Sequence, residues 1–462
     1  MTMNFPPNFK WGGATSSFQI EGATSQDGRG KTIWDTFCET PGRVLGGHTG
    51  DIACDHYNRT AEDIAIMKDL GLQSYRFSIA WSRLFPDGVT REQRGFDFYS
   101  RLVDQLLAAD IEPMVTVYHW DLPQTLQDHG GWANRDIVSQ FTDYAVAVTE
   151  LLADRVDNFL TVNEPWVFTW LGNMSGIHAP GLKDLDVSIA GAHHTALAHG
   201  EASRAMRAVA PNISTGLALN MANFIVDDES NEELQTLRRL MDGHINRWWL
   251  DAAFRGEYPQ ELVDFYGEKL QRHVMPGDME KLRVQTDIVG VNYYNDSFIN
   301  TPKADSPRAD EGGPFPFPQR SDSTPPPPHT DFGWPITPRG LHNLLVRMHQ
   351  DWPEIENISI TENGAAYGDG PDADGRVRDV RRIDYMRDHI EAVSTAIDAG
   401  APVQSYYAWS LLDNFEWAEG YDKRFGIIHV DFETLKRTPK DSAEFYASVI
   451  TQHKAASQVQ VG

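Results

Sequence analysis

The feature that most limits how this chain can fold is a repeated pairing of an amphipathic helix with a short apolar strand. Behind Thr60, a residue type suited to cap a helix, Ile64, Met67 and Leu70 fall on one helical face, and Gly71 is placed to stop it. Residues 74–79 follow, rich in β-forming side chains. The order recurs at 98–109 before 113–118, at 136–153 before 159–162, and at 187–208 before 214–219. It continues at 246–254, with a further helical stretch, before 288–292, then 341–350 before 358–361, and 386–399 before 403–407. With an opening strand at 11–15, the series holds eight strands with helices between them. Alternating β and α units call for a parallel sheet. Eight of them call for a closed (β/α)8 TIM barrel rather than an open doubly wound sheet, because no Gly-rich dinucleotide loop follows an early strand. Single barrels with insertions reach the present 462 residues, so one α/β domain is expected over 1–462. Residues 301–338, which include Pro325-Pro326-Pro327-Pro328, cannot continue a helix or central strand. They are expected to form a long loop after the sixth strand, on the C-terminal face where the other long βα loops emerge. Residues 453–462 are expected to be a mobile tail.

Polar residues gather where those strands end. The second is followed by Trp81, the third by His119-Trp120-Asp121, and the fourth by Asn163-Glu164-Pro165. The sixth ends in Asn292-Tyr293-Tyr294, the seventh in Glu362-Asn363-Gly364, and the eighth in Trp409. A barrel directs all these ends to one rim, so Glu164 and Glu362 become neighbours despite their distance along the chain. Net charge narrows what could bind there. At −26, the surface repels phosphate backbones and anionic lipid, so neither nucleic acid nor membrane is an expected partner. A neutral or cationic small ligand fits better. Cys38 and Cys54 are too few for a disulfide framework, and the opening residues carry no basic segment followed by an apolar one. The expected location is cytoplasmic.

Two carboxyls facing each other among amides, an imidazole and indoles suit the cleavage of an acetal. That reaction needs a proton for the leaving oxygen and electrons for an oxocarbenium-like carbon. One carboxyl must hold a proton while the other is ionised, and mutual repulsion supplies that split. Either tripeptide alone is ordinary loop sequence. Both at strand ends of one barrel, with aromatics on the same rim, is not.

The motifs behind this reading resemble those of glycoside hydrolase family 1, the β-glucosidases and their relatives, over essentially the whole chain. Phe9-Lys10-Trp11-Gly12-Gly13-Ala14-Thr15-Ser16-Ser17-Phe18-Gln19-Ile20-Glu21-Gly22 is similar to the family's N-terminal signature. Ile360-Thr361-Glu362-Asn363-Gly364 resembles its nucleophile motif. Tyr118-His119-Trp120-Asp121-Leu122-Pro123, Thr161-Val162-Asn163-Glu164-Pro165 and the stretch from Trp409 through Asn414, Glu416 and Trp417 match too. The resemblance implies a retaining β-glucosidase that removes terminal β-D-glucosyl residues, with Glu362 as nucleophile and Glu164 as acid/base. Their carboxyls are then expected about 5–5.5 Å apart. It implies that Arg76 and Tyr294 support the nucleophile. Gln19, His119, Trp120, Asn163, Asn292, Trp409, Glu416 and Trp417 are implied to bind the sugar, and Trp166, Leu171 and Trp334 to line the aglycone entrance. No metal and no organic cofactor is expected, since two carboxyls suffice. The implied partner is a small-molecule β-glucoside, in the setting of carbohydrate metabolism and cellulose degradation; monomer and homo-oligomer both stay open. A β-galactosidase or β-fucosidase preference is the alternative within the family, and a non-catalytic carbohydrate-binding protein the alternative outside it. Two departures carry information. Asn295 stands where many relatives have Thr or Ser after the second Tyr. Glu416 stands where the 6-phospho-β-glycosidase branch has a smaller residue, and its charge would repel a 6-phosphate.

Overall fold

Eight apolar runs form strands: β1 Lys10–Ala14, β2 Ser74–Ser78, β3 Glu112–Tyr118, β4 Asn158–Asn163, β5 Ser214–Asn220, β6 Ile288–Asn292, β7 Ile358–Asn363 and β8 Val403–Trp409. In this computed structural model, which describes residues 3–299, 316 and 327–461, they close into a parallel barrel. The order around it is β1-β8-β7-β6-β5-β4-β3-β2. The barrel expected from the helix–strand alternation is the one found. Its interior is filled, with Ala14, Met114, Leu160, Ala218, Ile288, Tyr407 and Trp409 packed on one another. A larger apolar layer lies between strands and helices. Helix Gln93–Ala108 shows why: Phe96, Tyr99, Leu102, Val103 and Leu106 recur at helical spacing and are all buried. Helix Ile137–Leu152 buries Phe141, Tyr144, Val148 and Leu152 in the same way. Each such side chain contributes about 1.5–3 kcal/mol by leaving water. Tyr144 also donates to the Ile79 and Val117 carbonyls at 3.0 and 2.9 Å, tying the exits of β2 and β3 together. Trp81 stacks on Tyr144 with ring centroids 4.4 Å apart, so it is a core residue rather than part of the rim.

Several boundaries differ from the sequence reading. The helix expected to be capped by Thr60 begins at His56, because buried His56 pairs with Asp63 at 2.7 Å and holds an extra turn. Arg59, with φ −123° and ψ 21°, marks where that turn joins the regular helix. Two short sheets add to the barrel: Phe224–Val226 beside Ser297–Ile299, parallel, and Ile428–Val430 beside Arg437–Pro439, antiparallel. Of the Pro-rich loop expected at 301–338, residues 301–315 and 317–326 lie outside the described residues. Within 327–338, the Ile336 N–H donates to Pro328 O and the Thr330 N–H to Trp334 O, both at 2.9 Å. Pro338 then opens helix Pro338–Asp351, at a position where a missing N–H costs nothing. Of the tail expected at 453–462, the described residues continue the terminal helix Asp441–Val461. His453 anchors it: its Nδ1 accepts from Trp11 Nε1 at 3.1 Å, and its Nε2 faces the Pro6 carbonyl at 2.9 Å.

Candidate active site

Parallel register brings the strand ends into one ring. Asn292 pairs with Glu362 across β6 and β7 and with Asn220 across β5 and β6, while Ala14 pairs with Trp409 where the barrel closes. Glu164 leaves β4 in the left-handed region at φ 45°, its N–H on the Ala218 carbonyl at 2.8 Å. Trp120 (φ 74°) and Trp417 (φ 49°) share that uncommon backbone. All three border one cavity of about 640 Å³ at the C-terminal mouth, and the strain turns their side chains inward. Gly364 permits the close approach of β7 to β8, since a Cβ there would stand 1.7 Å from the Trp409 carbonyl oxygen. A second cavity of about 620 Å³ opens at the opposite mouth, lined by Lys10, which pairs with Glu112 at 2.9 Å, and by the further carboxylates Asp287, Glu354 and Glu356.

At the cavity floor stand Glu164 and Glu362, 6% and 3% exposed, with different company. Glu362 Oε1 accepts from Arg76 Nη1 at 2.7 Å, and its Oε2 accepts from the Tyr294 hydroxyl at 2.7 Å. Burial pushes this carboxyl up, and Arg76, Tyr294 and Asn292 oppose the rise. Among the described residues Glu164 accepts from one amide, Asn292 Nδ2 at 2.8 Å. Burial, then the Glu362 charge, pushes Glu164 up to about 8. Both carboxyls are thus raised by burial, but Glu362 has a guanidinium and a phenol opposing the rise, whereas Glu164 has one amide and a neighbouring carboxylate.

The surrounding groups leave little orientational freedom. Arg76 can only donate, so Asn163 must turn Oδ1 toward its Nη2 (2.6 Å), which aims Asn163 Nδ2 at His119 Nε2 (3.1 Å). His119 Nε2 must then accept, leaving its proton on Nδ1. Burial keeps the ring neutral by holding its pKa well below the usual histidine value. Thr361 donates to Asn292 Oδ1 at 2.6 Å, which fixes Asn292 Nδ2 toward Asn163 Oδ1 (3.0 Å) and Glu164. Ser16 donates to Gln19 Oε1 at 2.6 Å, so Gln19 Nε2 faces Phe415 O at 2.9 Å and Glu416 Oε2 at 3.4 Å. Burial, then the charges of Glu362 and Glu164, raises Glu416 well above the ordinary carboxyl range. Trp409 and Trp417 each lie near-parallel to His119 with centroids 6.0 Å away, and Trp120 donates to Asn163 O at 2.9 Å.

His119, Trp120, Glu164, Asn292, Tyr294, Glu362, Trp409, Glu416 and Trp417 all line the cavity, as do Trp166, Leu171 and Trp334. Arg76, Asn163 and Gln19 are fully buried beneath them. Residues not anticipated from the sequence also line it, among them His178, Asn220, Met221, Phe332 and Phe425. Asn220 could have been found by extending β5 one residue. His178 and the two Phe residues come from irregular segments that carry no periodic signal. Among the described residues, no group of three or more His, Cys, Asp or Glu side chains is arranged to hold a metal ion.

Comparison with known proteins agrees over the whole length. The model of the family described as Glycosyl hydrolase family 1 matches residues 1–455. Beta-glucosidase A of Acetivibrio thermocellus is 44% identical, with 97% of this chain and 98% of that protein covered. Beta-glucosidase A of Thermotoga maritima is 43% identical over 96% of this chain and 97% of its own. The solved structure of the Thermotoga maritima beta-glucosidase in complex with glucoimidazole superposes with a TM-score of 0.91 at 42% identity, covering 98% of this chain and all of the other. A paired-carboxyl site in a closed barrel, and matches of this extent, lead to one conclusion: the chain belongs to glycosyl hydrolase family 1.

Proposed function

We propose that this glycoside hydrolase is a retaining β-glucosidase acting on terminal β-D-glucosyl residues, with Glu362 as nucleophile and Glu164 as acid/base. The observation that carries the reading is the contrast between the two carboxyls: one hydrogen-bonded by Arg76 and Tyr294, the other without a cation of its own and pushed up to about 8 beside it. Asn292 lies within hydrogen-bond reach of both, which supports the short spacing, about 5–5.5 Å, of retaining rather than inverting enzymes. Glu362 attacks the anomeric carbon while Glu164 gives its proton to the departing aglycone oxygen. Esterified Glu362 no longer carries charge, so the pKa of Glu164 falls just when it must take a proton from water. That water cleaves the glycosyl-enzyme and restores both groups.

The roles of the other residues belong to the same proposal. Arg76 and Tyr294 keep Glu362 ionised and aimed. Asn163 holds the sugar 2-hydroxyl, and Asn292 stands beside it. Gln19, His119, Trp120, Glu416 and Trp417 take the remaining hydroxyls, and Trp409 is the stacking floor. Trp166, Leu171 and Trp334 face the aglycone. One catalytic domain does this work on small β-glucosides such as those released in cellulose degradation. Cytoplasmic action is in keeping with two buried free thiols, Cys38 and Cys54. Replacing Glu362 by Gly should abolish hydrolysis of a nitrophenyl β-glucoside, and azide should restore cleavage to an α-glucosyl azide. A Glu362→Gly enzyme of near-normal activity would refute the assignment, and a wild-type enzyme that binds β-glucosides without turnover would turn the reading to a carbohydrate-binding protein.

A further inference from the structure

Between β8 and the short strand Ile428–Val430 runs the loop 410–427, which carries Glu416, Trp417 and Phe425 to the cavity. Its two ends are joined by one buried carboxylate. Asp413 Oδ1 accepts from the Gly426 N–H at 3.0 Å and from Lys440 Nζ at 2.8 Å, and Oδ2 accepts from Arg424 Nη1 at 2.9 Å. The side chains of Asp413 and Lys440 are fully buried. The Asp413 N–H also donates to Ile428 O at 2.9 Å. A second buried pair, Arg382 with Asp379 at 2.8 Å, binds the returning limb: Arg382 donates to Arg424 O at 3.1 Å and Phe425 O at 3.2 Å, and also reaches Ala365 O, three residues past Glu362. The lower segments of the loop are thereby referenced to the strand that bears the nucleophile.

A hydrophobic plug would close the loop without the desolvation cost of buried charge. A satisfied polar network instead admits one arrangement only. We propose that Asp413, held by Lys440 and Arg424, is a positioning residue that fixes Glu416 and Trp417 against the glycone and thereby sets the preference for a β-glucoside over a β-fucoside. The proposal rests on the β-glucosidase reading. A fucoside lacks the 6-hydroxyl and inverts the 4-hydroxyl, so it tests the placement of Glu416, whereas chemistry at Glu164 and Glu362 is common to both sugars.

The test measures kcat and KM of nitrophenyl β-glucoside and β-fucoside on the full-length enzyme and on Arg424→Gln, Arg424→Lys and Lys440→Met. Loosening the network should lower the glucoside-to-fucoside ratio of kcat/KM by about fivefold in Arg424→Gln, the weight of one hydrogen bond, chiefly through the glucoside KM. Arg424→Lys, which keeps a cation near Asp413, should recover most of the ratio. If Lys440→Met fails to fold, Arg424→Gln decides, its side chain being 21% exposed. Folded variants with a lowered Tm and an unchanged ratio would overturn the proposal and leave the cluster as structural support. A parent enzyme inactive on both sugars would instead refute the β-glucosidase reading.

Discussion

Replacing Tyr294 by Phe removes one oxygen atom and tests how the proposed nucleophile, Glu362, is kept charged. The phenol donates to Glu362 Oε2 at 2.7 Å, while Arg76 serves the other oxygen at the same distance. A hydrogen bond to a charged group contributes about 1.5–3 kcal/mol. One pKa unit corresponds to about 1.4 kcal/mol, so loss of the phenol should raise the Glu362 pKa by about one to two units. In the proposed mechanism Glu362 works as an anion, so activity is lost as pH falls through its pKa. Raising that value carries the acidic limb of kcat/KM to higher pH by the same amount. The basic limb reports Glu164, near 8, and should stay in place, which narrows the bell. The Phe ring keeps the packing against Trp334 and Phe425, 5.3 and 5.9 Å away, so Tm should change little. The assay is kcat/KM of a nitrophenyl β-glucoside from acid to alkaline pH for both enzymes. A rate that falls equally at every pH, with the acidic limb unmoved, would refute the reasoning and reduce Tyr294 to a group that merely orients the carboxylate.

Asn292→Ala should move both limbs of the kcat/KM profile to higher pH as the maximal rate falls, because it removes an amide that lowers Glu164 and Glu362 alike. Gly364→Ala should lower both Tm and kcat, because the new Cβ meets the Trp409 carbonyl at 1.7 Å and β8 must move; retention of full activity with an unchanged melting curve would count against that crowding. Asp63→Ala should cost about 3–5 kcal/mol in denaturant unfolding, since it leaves the fully buried Arg437 side chain without its carboxylate. A cost below about 1 kcal/mol, the scale of a surface pair, would mean that water reaches Arg437.

Strands were legible because a barrel strand is a short apolar run between a helix and a polar turn, and 358–361 or 403–407 can be little else. Glu164 and Glu362 were legible as a pair for a topological reason, since parallel strands in a closed ring deliver every C-terminal end to one mouth. The supporting contacts were less so. Arg76 sits mid-strand, where nothing local distinguishes a charge aimed into the barrel from one aimed outward; only the resemblance to a known family singled it out. Asn220 escaped because Asn after an apolar run reads as an ordinary turn. The start of helix His56–Asp69 depends on Arg437 and Asp63, residues far apart in sequence, and no local capping rule could reveal it. His178 and Phe332 reach the cavity from segments whose paths are set by tertiary contacts alone.

The seam of the barrel has a consequence for how the enzyme comes into being. Ala14 lies beside Trp409, and Gln19 contacts Glu416, so the first strand waits for the last. A nascent chain that has emerged through β7 already holds Arg76, Asn163, Glu164 and Glu362, yet it lacks Trp409, Glu416 and Trp417, which complete the cavity wall. Turnover should therefore appear late and abruptly during synthesis, after most of the helical signal has developed. Hydrolysis of a chromogenic glycoside would then serve as a reporter of ring closure.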